Sequence, residues 1–239
     1  MQAIVLAAGR GTRMNELTTV VPKPMLEVSG RPLLEYKIDA MPEDIDEVIL
    51  IVGFHGNVVR QHFGSRYSNR RITYVEQNEL NGTAGALWCA KDILKGRFLV
   101  MMGDDIYAKE DVAECVSKTE VWTLLVQQLA EMHRAGSVVL AEDGNIADVI
   151  ESREEDEARM EPGLASTNLY VLDDRLFSSP LVPKHAGSLE YGLPQTVVTA
   201  AKYLGVAFEP TYTNKWIQIT APRDLVAAEQ MLKKISKKV

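Results

Sequence analysis

The chain is poor in cysteine, histidine and long apolar runs, and each shortage excludes something. Two cysteines among 239 residues, Cys89 and Cys115, cannot build a disulfide framework or a conventional zinc site; both are expected to be small buried residues in a reducing compartment. Four histidines, His55, His62, His133 and His185, are scattered without metal-ligand spacing and read as structural or surface residues. No apolar run reaches the roughly 20 residues that a membrane helix needs, and the opening segment lacks the basic start of a secretory leader. A cytoplasmic protein without a membrane partner is expected. Basic residues also fall short of acidic ones, 26 against 33, which argues against a general nucleic-acid-binding surface.

What is present is the composition of an ordinary globular protein, 46% hydrophobic and 25% charged, so intrinsic disorder is excluded. No internal repeat, Pro-rich linker or low-complexity tract divides the chain. One domain over 1–239, with halves 1–119 and 120–239, is the organisation expected. The net charge of −7 is unevenly placed. Residues 1–31 carry four basic and two acidic side chains, whereas residues 142–161 carry nine acidic and two basic ones.

Apolar runs of strand length alternate with segments of helical period, which predicts an α/β fold with a mostly parallel central sheet. Strands are expected at Ala3–Leu6, Val48–Val52, Ile72–Val75 and Phe98–Met102, each continuously apolar as strands covered on both faces should be. Helices fit between them over about 32–41, 57–64 and 83–94, the first opened by Pro32. Beyond residue 119 the strand-like segments Trp122–Val126, Ser137–Leu140, Ile146–Ile150 and Asn168–Leu172 follow with few helices between them. A helix over 192–204, a strand over 215–219 and an amphipathic helix over 222–236 complete a smaller mixed or antiparallel region.

The first strand runs directly into Ala8-Gly9-Arg10-Gly11-Thr12-Arg13-Met14. Glycines after a strand let the backbone approach a ligand, and successive N–H groups can form a nest for an anion. The dinucleotide fingerprint fails, because Met14 stands in place of its third glycine and Gly53 in place of the acid ending the second strand. No G-x-x-x-x-G-K followed by Ser or Thr occurs, so a P-loop is absent. The loop is instead marked by Arg10 and Arg13, with Lys23 following between Pro22 and Pro24. Prolines on both sides restrict the backbone around that lysine, so its ammonium can be held over a phosphate at reduced entropic cost.

Leu6-Ala7-Ala8-Gly9-Arg10-Gly11-Thr12-Arg13-Met14 followed by Pro22-Lys23-Pro24-Met25-Leu26 resembles the signature of the sugar-1-phosphate nucleotidylyltransferases, L-A-A-G-x-G-T-R with Met or Leu, then K-P with Met or Leu. Weaker matches follow in order: Gln77 with Gly82-Thr83-Ala84-Gly85, Gly103-Asp104, Ile150-Glu151, and Trp216 to Leu225. The resemblance implies a Rossmann-like (GT-A-like) nucleotidyltransferase fold. It also implies transfer of a nucleotidyl group from UTP or dTTP to a sugar 1-phosphate with Mg²⁺, releasing pyrophosphate. The first half would bind the nucleotide and the second the sugar phosphate. No room is then left for the β-helical acyltransferase fused to some relatives, and a homo-oligomer is compatible with the reading.

The resemblance assigns the nucleotide to Leu6, Ala8, Gly9, Gly11, Thr12, Arg13, Gln77, Gly82 and Thr83. Arg13, whose fork suits phosphate oxygens, and Lys23 are the expected catalytic residues. Gln77 would read the base, its amide offering a donor and an acceptor to the edge of uracil or thymine. Asp104, at the carboxyl end of the fourth strand, is the expected Mg²⁺ ligand. Asp105 should face away from it, since consecutive strand side chains alternate. Gln218 stands where the family often has a second, carboxylate ligand.

Gly136, Glu151, Ser166 and Tyr170 would contact the sugar phosphate. Here the sequence departs from the family. Glu-Lys-Pro becomes Glu151-Ser152-Arg153, with Arg153 a substitute for the missing lysine, and Asn-Thr-Gly-x-Tyr becomes Ser166-Thr167-Asn168-Leu169-Tyr170. Two alternatives stay open: a CTP-dependent cytidylyltransferase for a phosphorylated alcohol such as phosphocholine, and a nucleotide-binding regulatory homologue with weak or no catalysis.

Overall fold

The computed structural model describes residues 1–132, 136–151 and 161–236. Its centre is a parallel ribbon. β1 (Gln2–Leu6) lies between β4 (Glu47–Val52) and β7 (Arg97–Met102), and β6 (Arg70–Glu76) adds to the far side of β4. The register sets Leu6 level with Ile51 and Met102, so these strands end together along one edge. The crossovers carry α1 (Leu33–Ala40), α2 (Gly56–Phe63) and α3 (Thr83–Trp88). Small hairpin partners, β2 (Glu27–Val28) with β3 (Arg31–Pro32), and β5 (Arg66–Tyr67) beside β6, complete the first half.

Side-chain alternation shows why the strand runs are apolar throughout. Val5, Leu50 and Leu99 enter a core beneath α1, α2 and α4 (Lys109–Ser117) with Ile38, Val59, Phe63 and Val112. Their neighbours Ile4, Ile49 and Val100 enter a second core beneath α3 and α5 (Leu193–Leu204) with Leu87, Val197 and Ala201. Each fully buried aliphatic side chain contributes about 1.5–3 kcal/mol, so both faces favour strand residues without polar groups. α6 (Pro222–Ser236) closes a third cluster, Leu225 and Ala228 packing on Met14, Val28 and Leu33.

The second half is built on one long strand, β11 (Gly163–Asp173). Its first part pairs with β8 (Trp122–Leu129) and touches β9 (Ser137–Leu140) at Ala165, and its last part pairs with β8 and β7. The change of neighbour falls at Asn168, whose φ of 57° breaks the register between Ser166 and Tyr170. Asparagine tolerates this left-handed conformation better than most residues, because its short side chain bonds locally. β10 (Ile146–Ile150) pairs with β9, and β12 (Phe208–Thr213) runs parallel to β8. The result is a mixed α/β molecule around a ten-stranded sheet with a parallel centre, as the sequence pattern predicts.

Several local expectations are corrected. The strand expected over 215–219 reduces to a single antiparallel bridge, Ile217 to Ile106, and the edge strand is β12 instead. Its sequence, Phe-Glu-Pro-Thr-Tyr-Thr, reads poorly as a strand, but proline is tolerated on an edge. α4 carries too many charges in its first turn to announce itself by periodicity. α3 ends at Trp88 rather than at residue 94. Pro32 pairs with Glu27 and precedes the helix rather than opening it. Cys115 is buried, with its thiol pushed up to about 12 by that burial, but Cys89 is exposed. Among the described residues no helix is long and apolar enough to cross a membrane.

Candidate active site

The common carboxyl edge of β1, β4 and β7 continues into irregular backbone held by the sheet. Ala7 donates to Ile51 O at 2.9 Å, and Gly103 donates to Leu6 O at 3.0 Å. The loop then turns through Gly11, at φ 63°. A Cβ there would lie 2.9 Å from Lys23 Cβ, so only glycine lets the loop close on the lysine stem. Thr18 Oγ1 ties the same turn by donating to Gly11 O at 3.0 Å. Lys23 itself starts a short 3₁₀ turn, Lys23–Met25, and is buried.

A cleft of about 330 Å³ opens above this edge. Its walls contain Leu6, Ala8, Gly9, Gly11, Thr12, Arg13, Lys23, Gln77, Gly82, Thr83 and Asp104. The fold thus gathers, from five separate elements, every residue that the sequence assigns to the nucleotide, with the two expected catalytic residues and one expected metal ligand. Ala7, Pro24, Ala86, Met102 and Gly103 also line it; only their small size or their place beside a motif could have marked them.

Charges meet on the cleft floor. Lys23 Nζ lies 2.6 Å from Asp104 Oδ2 and 2.5 Å from Ile219 O. Asp104 remains about one-third exposed, its side chain at 35%. A single half-open carboxylate fits a Mg²⁺ ion that arrives with its phosphate ligands, since Mg²⁺ is commonly bound through one or two carboxylates plus substrate phosphates. Asp105 turns away and is buried, accepting from Trp216 Nε1 at 3.1 Å and from Ile219 N at 3.3 Å. Gln218, between them in sequence, is half-buried, next to the bridge that joins Ile217 to Ile106, and is not part of the cleft wall.

Behind Asp105 stands a residue that sequence reasoning missed. Lys37 is fully buried, and its ammonium donates to Asp105 O and, at 3.4 Å, to Leu33 O. Burial pulls the Lys37 ammonium down from its ordinary range against the attraction of Asp105 and Asp104, and burial pushes Asp105 up. The helical spacing held a signal: Leu33, Leu34, Lys37 and Ile38 share one face, so the lysine lies on the apolar side of α1.

Gln77 is buried beside the cleft and donates to Asn81 Oδ1 at 3.2 Å and Gly82 O at 3.3 Å. Its amide hydrogens are therefore engaged within the loop, and the carbonyl oxygen is what it offers a ligand. Gly82, at φ 96°, backs directly onto Tyr191, whose N–H donates to Asn81 O at 2.8 Å and whose carbonyl accepts from Ala84 N at 3.1 Å.

The expected sugar-phosphate residues form a separate group. Ser166 donates its backbone N–H to Gly136 O at 2.8 Å, and a Cβ on Gly136 would lie 3.8 Å from Ile150 O, one residue before Glu151. Glu151 is half-buried, and its Oε2 has no hydrogen-bond partner among the described residues. Tyr170 is a correction. It is completely buried against Phe208, at 6.5 Å between rings, with its hydroxyl donating to Asn168 Oδ1 at 3.1 Å. Burial raises that hydroxyl's pKa well above the phenolic range. Such a side chain supports the β11 turn and is closed to a sugar. None of these four residues, nor Gln218, lines the cleft. Ser152, Arg153 and His133 lie outside the described residues.

Known proteins resemble this chain in sequence and fold. The UTP–glucose-1-phosphate uridylyltransferase AglF of Haloferax volcanii is 30% identical over 97% of this chain and 96% of its own. The bifunctional protein GlmU of Methanococcus vannielii is 28% identical over 100% of this chain, which spans 57% of that relative's length. Among solved structures, a Bacillus anthracis protein described as a glucose-1-phosphate thymidylyltransferase, in complex with sucrose, superposes with a TM-score of 0.79 at 26% identity, covering 97% of this chain and 94% of its own. The inositol-1-phosphate CTP transferase of T. maritima shares the fold, with a TM-score of 0.76 at 20% identity over 100% of this chain and 97% of its own. The nucleotidyl transferase family model matches residues 2–234, and the chain belongs to that family.

Proposed function

We propose that the protein is a Mg²⁺-dependent sugar-1-phosphate nucleotidylyltransferase that uses UTP or dTTP. The observation that carries the reading is the convergence of the glycine-rich loop, Arg13, Lys23, Gln77 and Asp104 on one cleft. The near full-length likeness to a protein named for UTP and glucose 1-phosphate supports the substrate class. Gln77, presenting an acceptor, suits the ring N–H of uracil or thymine.

In the reaction a phosphate oxygen of the sugar 1-phosphate attacks the α-phosphorus. The bond from that phosphorus to the oxygen bridging the β-phosphate breaks, and pyrophosphate leaves with the electron pair. No protein nucleophile is required; positioning and charge neutralisation suffice. Loop N–H groups and Arg13 hold the departing phosphates, and Lys23 stabilises charge at the reacting centre. Asp104 would hold the Mg²⁺, which supplies charge neutralisation between phosphates. Glu151 and Gly136 would meet the sugar, with the 120–239 half as the acceptor side.

The test is pyrophosphate release measured over a matrix of nucleoside triphosphates and phosphorylated acceptors, with and without Mg²⁺. Turnover of UTP or dTTP with a sugar 1-phosphate is the expected result. Selective use of CTP with a phosphorylated alcohol would overturn it, and so would tight nucleotide binding with no turnover of any pair.

A further inference from the structure

The cleft floor rests on a buried chain of hydrogen bonds of which the mechanism above makes no use. Lys37, on an otherwise apolar helix face, donates to the carbonyl of Asp105. The Asp105 carboxylate in turn takes one N–H from Trp216 and one from Ile219, at 3.1 and 3.3 Å. Ile219 in turn offers its carbonyl, in the next peptide along the chain, to Lys23 at 2.5 Å. Residue by residue, the linkage ends on the two charged groups that face the cleft: Asp104, the chain neighbour of Asp105, and Lys23, which both Asp104 and Ile219 accept.

Two buried charges are weak evidence for stability, because removing them from water costs about as much as their attraction returns. Among the described residues, the hydrogen bonds of the Asp105 carboxylate go to the one segment that shares Lys23 with Asp104. Without it, the direct hydrogen bonds from residues 216–219 to the end of β7, among the described residues, reduce to the Ile106–Ile217 backbone pair, at 3.0 Å in each direction.

We propose that Lys37 and Asp105 are positioning residues that hold Lys23 and Asp104 in place from beneath the cleft. Asp105 fixes the Trp216–Ile219 segment, and Lys37 supplies the counter-charge and fixes the backbone at Asp105. The proposal rests on the role of Lys23 given above.

The experiment compares Asp105→Asn, Lys37→Met and Trp216→Phe with the natural sequence by two readouts. One is steady-state kinetics with Mg²⁺, triphosphate and sugar 1-phosphate. The other is the acylation rate of Lys23 by an amine-reactive ester, mapped by mass spectrometry in the protein without metal or substrate, with the exposed Lys202 as reference. Asn at 105 must present its amide hydrogens to one of two N–H donors, and Phe at 216 removes a single donor while keeping the ring.

The expected result for Asp105→Asn and Lys37→Met is a kcat lower by about 10²-fold, as for loss of about 1 Å of alignment, with the KM for triphosphate close to the natural value. Lys23 acylation should rise about tenfold, as for a group released by local opening, with Lys202 unchanged. Should those variants fail to fold, Trp216→Phe carries the test with smaller changes in the same directions. Natural kcat, or natural Lys23 acylation, in the folded variants overturns the proposal. If the natural protein turns over no substrate pair, the functional reading fails by itself, while the acylation rates still decide whether Lys37 and Asp105 position Lys23.

Discussion

Lys23 Nζ and Asp104 Oδ2 lie 2.6 Å apart although 81 residues separate them in sequence. A proline-flanked turn brings one and the end of β7 brings the other, so the pair exists only once the parallel sheet has formed. Two of the three ammonium hydrogens are engaged, by Asp104 and Ile219 O, and among the described residues the third has no acceptor, which leaves it to meet a phosphate.

Replacing Lys23 by alanine removes that donor from a preorganised site. Lys23→Ala is expected to lower turnover by about 10²–10³-fold, as loss of one such donor commonly does. Pyrophosphate-release kinetics check it, and unchanged rates would remove Lys23 from the mechanism.

Gly82 holds a backbone conformation reserved for glycine, with φ 96° and ψ 177°, and a Cβ there would lie 2.3 Å from Tyr191 O. Gly82→Ala is expected to cost at least about 1–3 kcal/mol of stability. It should also weaken triphosphate binding, because Gln77 donates to Gly82 O. Urea denaturation and calorimetric titration measure the two effects.

Tyr170 separates a structural role from a binding role. Tyr170→Phe removes the hydroxyl donated to Asn168 and is expected to cost about 0.5–1.5 kcal/mol, the net worth of one hydrogen bond. The KM for the acceptor should stay unchanged. A rise in that KM with stability intact would return Tyr170 to the sugar site.

Gln218 occupies the position of a family carboxylate, beside the bridge that joins Ile217 to Ile106. An amide oxygen can coordinate Mg²⁺ with less charge than a carboxylate, so Gln218→Asp is expected to raise Mg²⁺ affinity. A titration of activity against Mg²⁺ that does not move would show that residue 218 is not a ligand.

Asp173 provides a pH test outside the site. Burial opposes its charge, but the Arg175 side chain, at 2.7 and 2.9 Å, and the Trp122 indole, at 2.8 Å, outweigh burial and hold its carboxyl below the usual range. A folded-state pKa below the unfolded value of about 3.9 means that the contribution is complete above that pH and is lost as pH falls through the folded value. Denaturation of Asp173→Asn should therefore show a stability deficit near neutrality that narrows at acid pH. A deficit constant with pH would assign the effect to packing.

What could be read without the structure was whatever the chain keeps contiguous. The loop from Leu6 to Arg13 follows a buried strand directly, and Pro22-Lys23-Pro24 carries its own conformational restriction, so both could be read locally as candidates for a phosphate site. The alternation of apolar strand and helix announces the sheet whose edge collects them. Gln77 and Gly82 were marked by the resemblance alone, and Asp104 by the resemblance together with its place at the carboxyl end of a strand.

Contacts made across the fold could not be read in this way. Tyr170 looked like a binding residue, until the pairing of β11 with both β7 and β8 buried it. Helical spacing puts Lys37 on the apolar side of α1 and strand alternation turns Asp105 away from Asp104, but neither pattern says what each side chain meets. Whether a charged side chain faces water or a buried partner depends on what packs over it, and here α1, the end of β7 and the 216–219 segment meet only in three dimensions. Chain order by itself determined which residues could handle phosphate; the packing of distant elements decided which charges stand on the cleft floor and which are buried to hold them there.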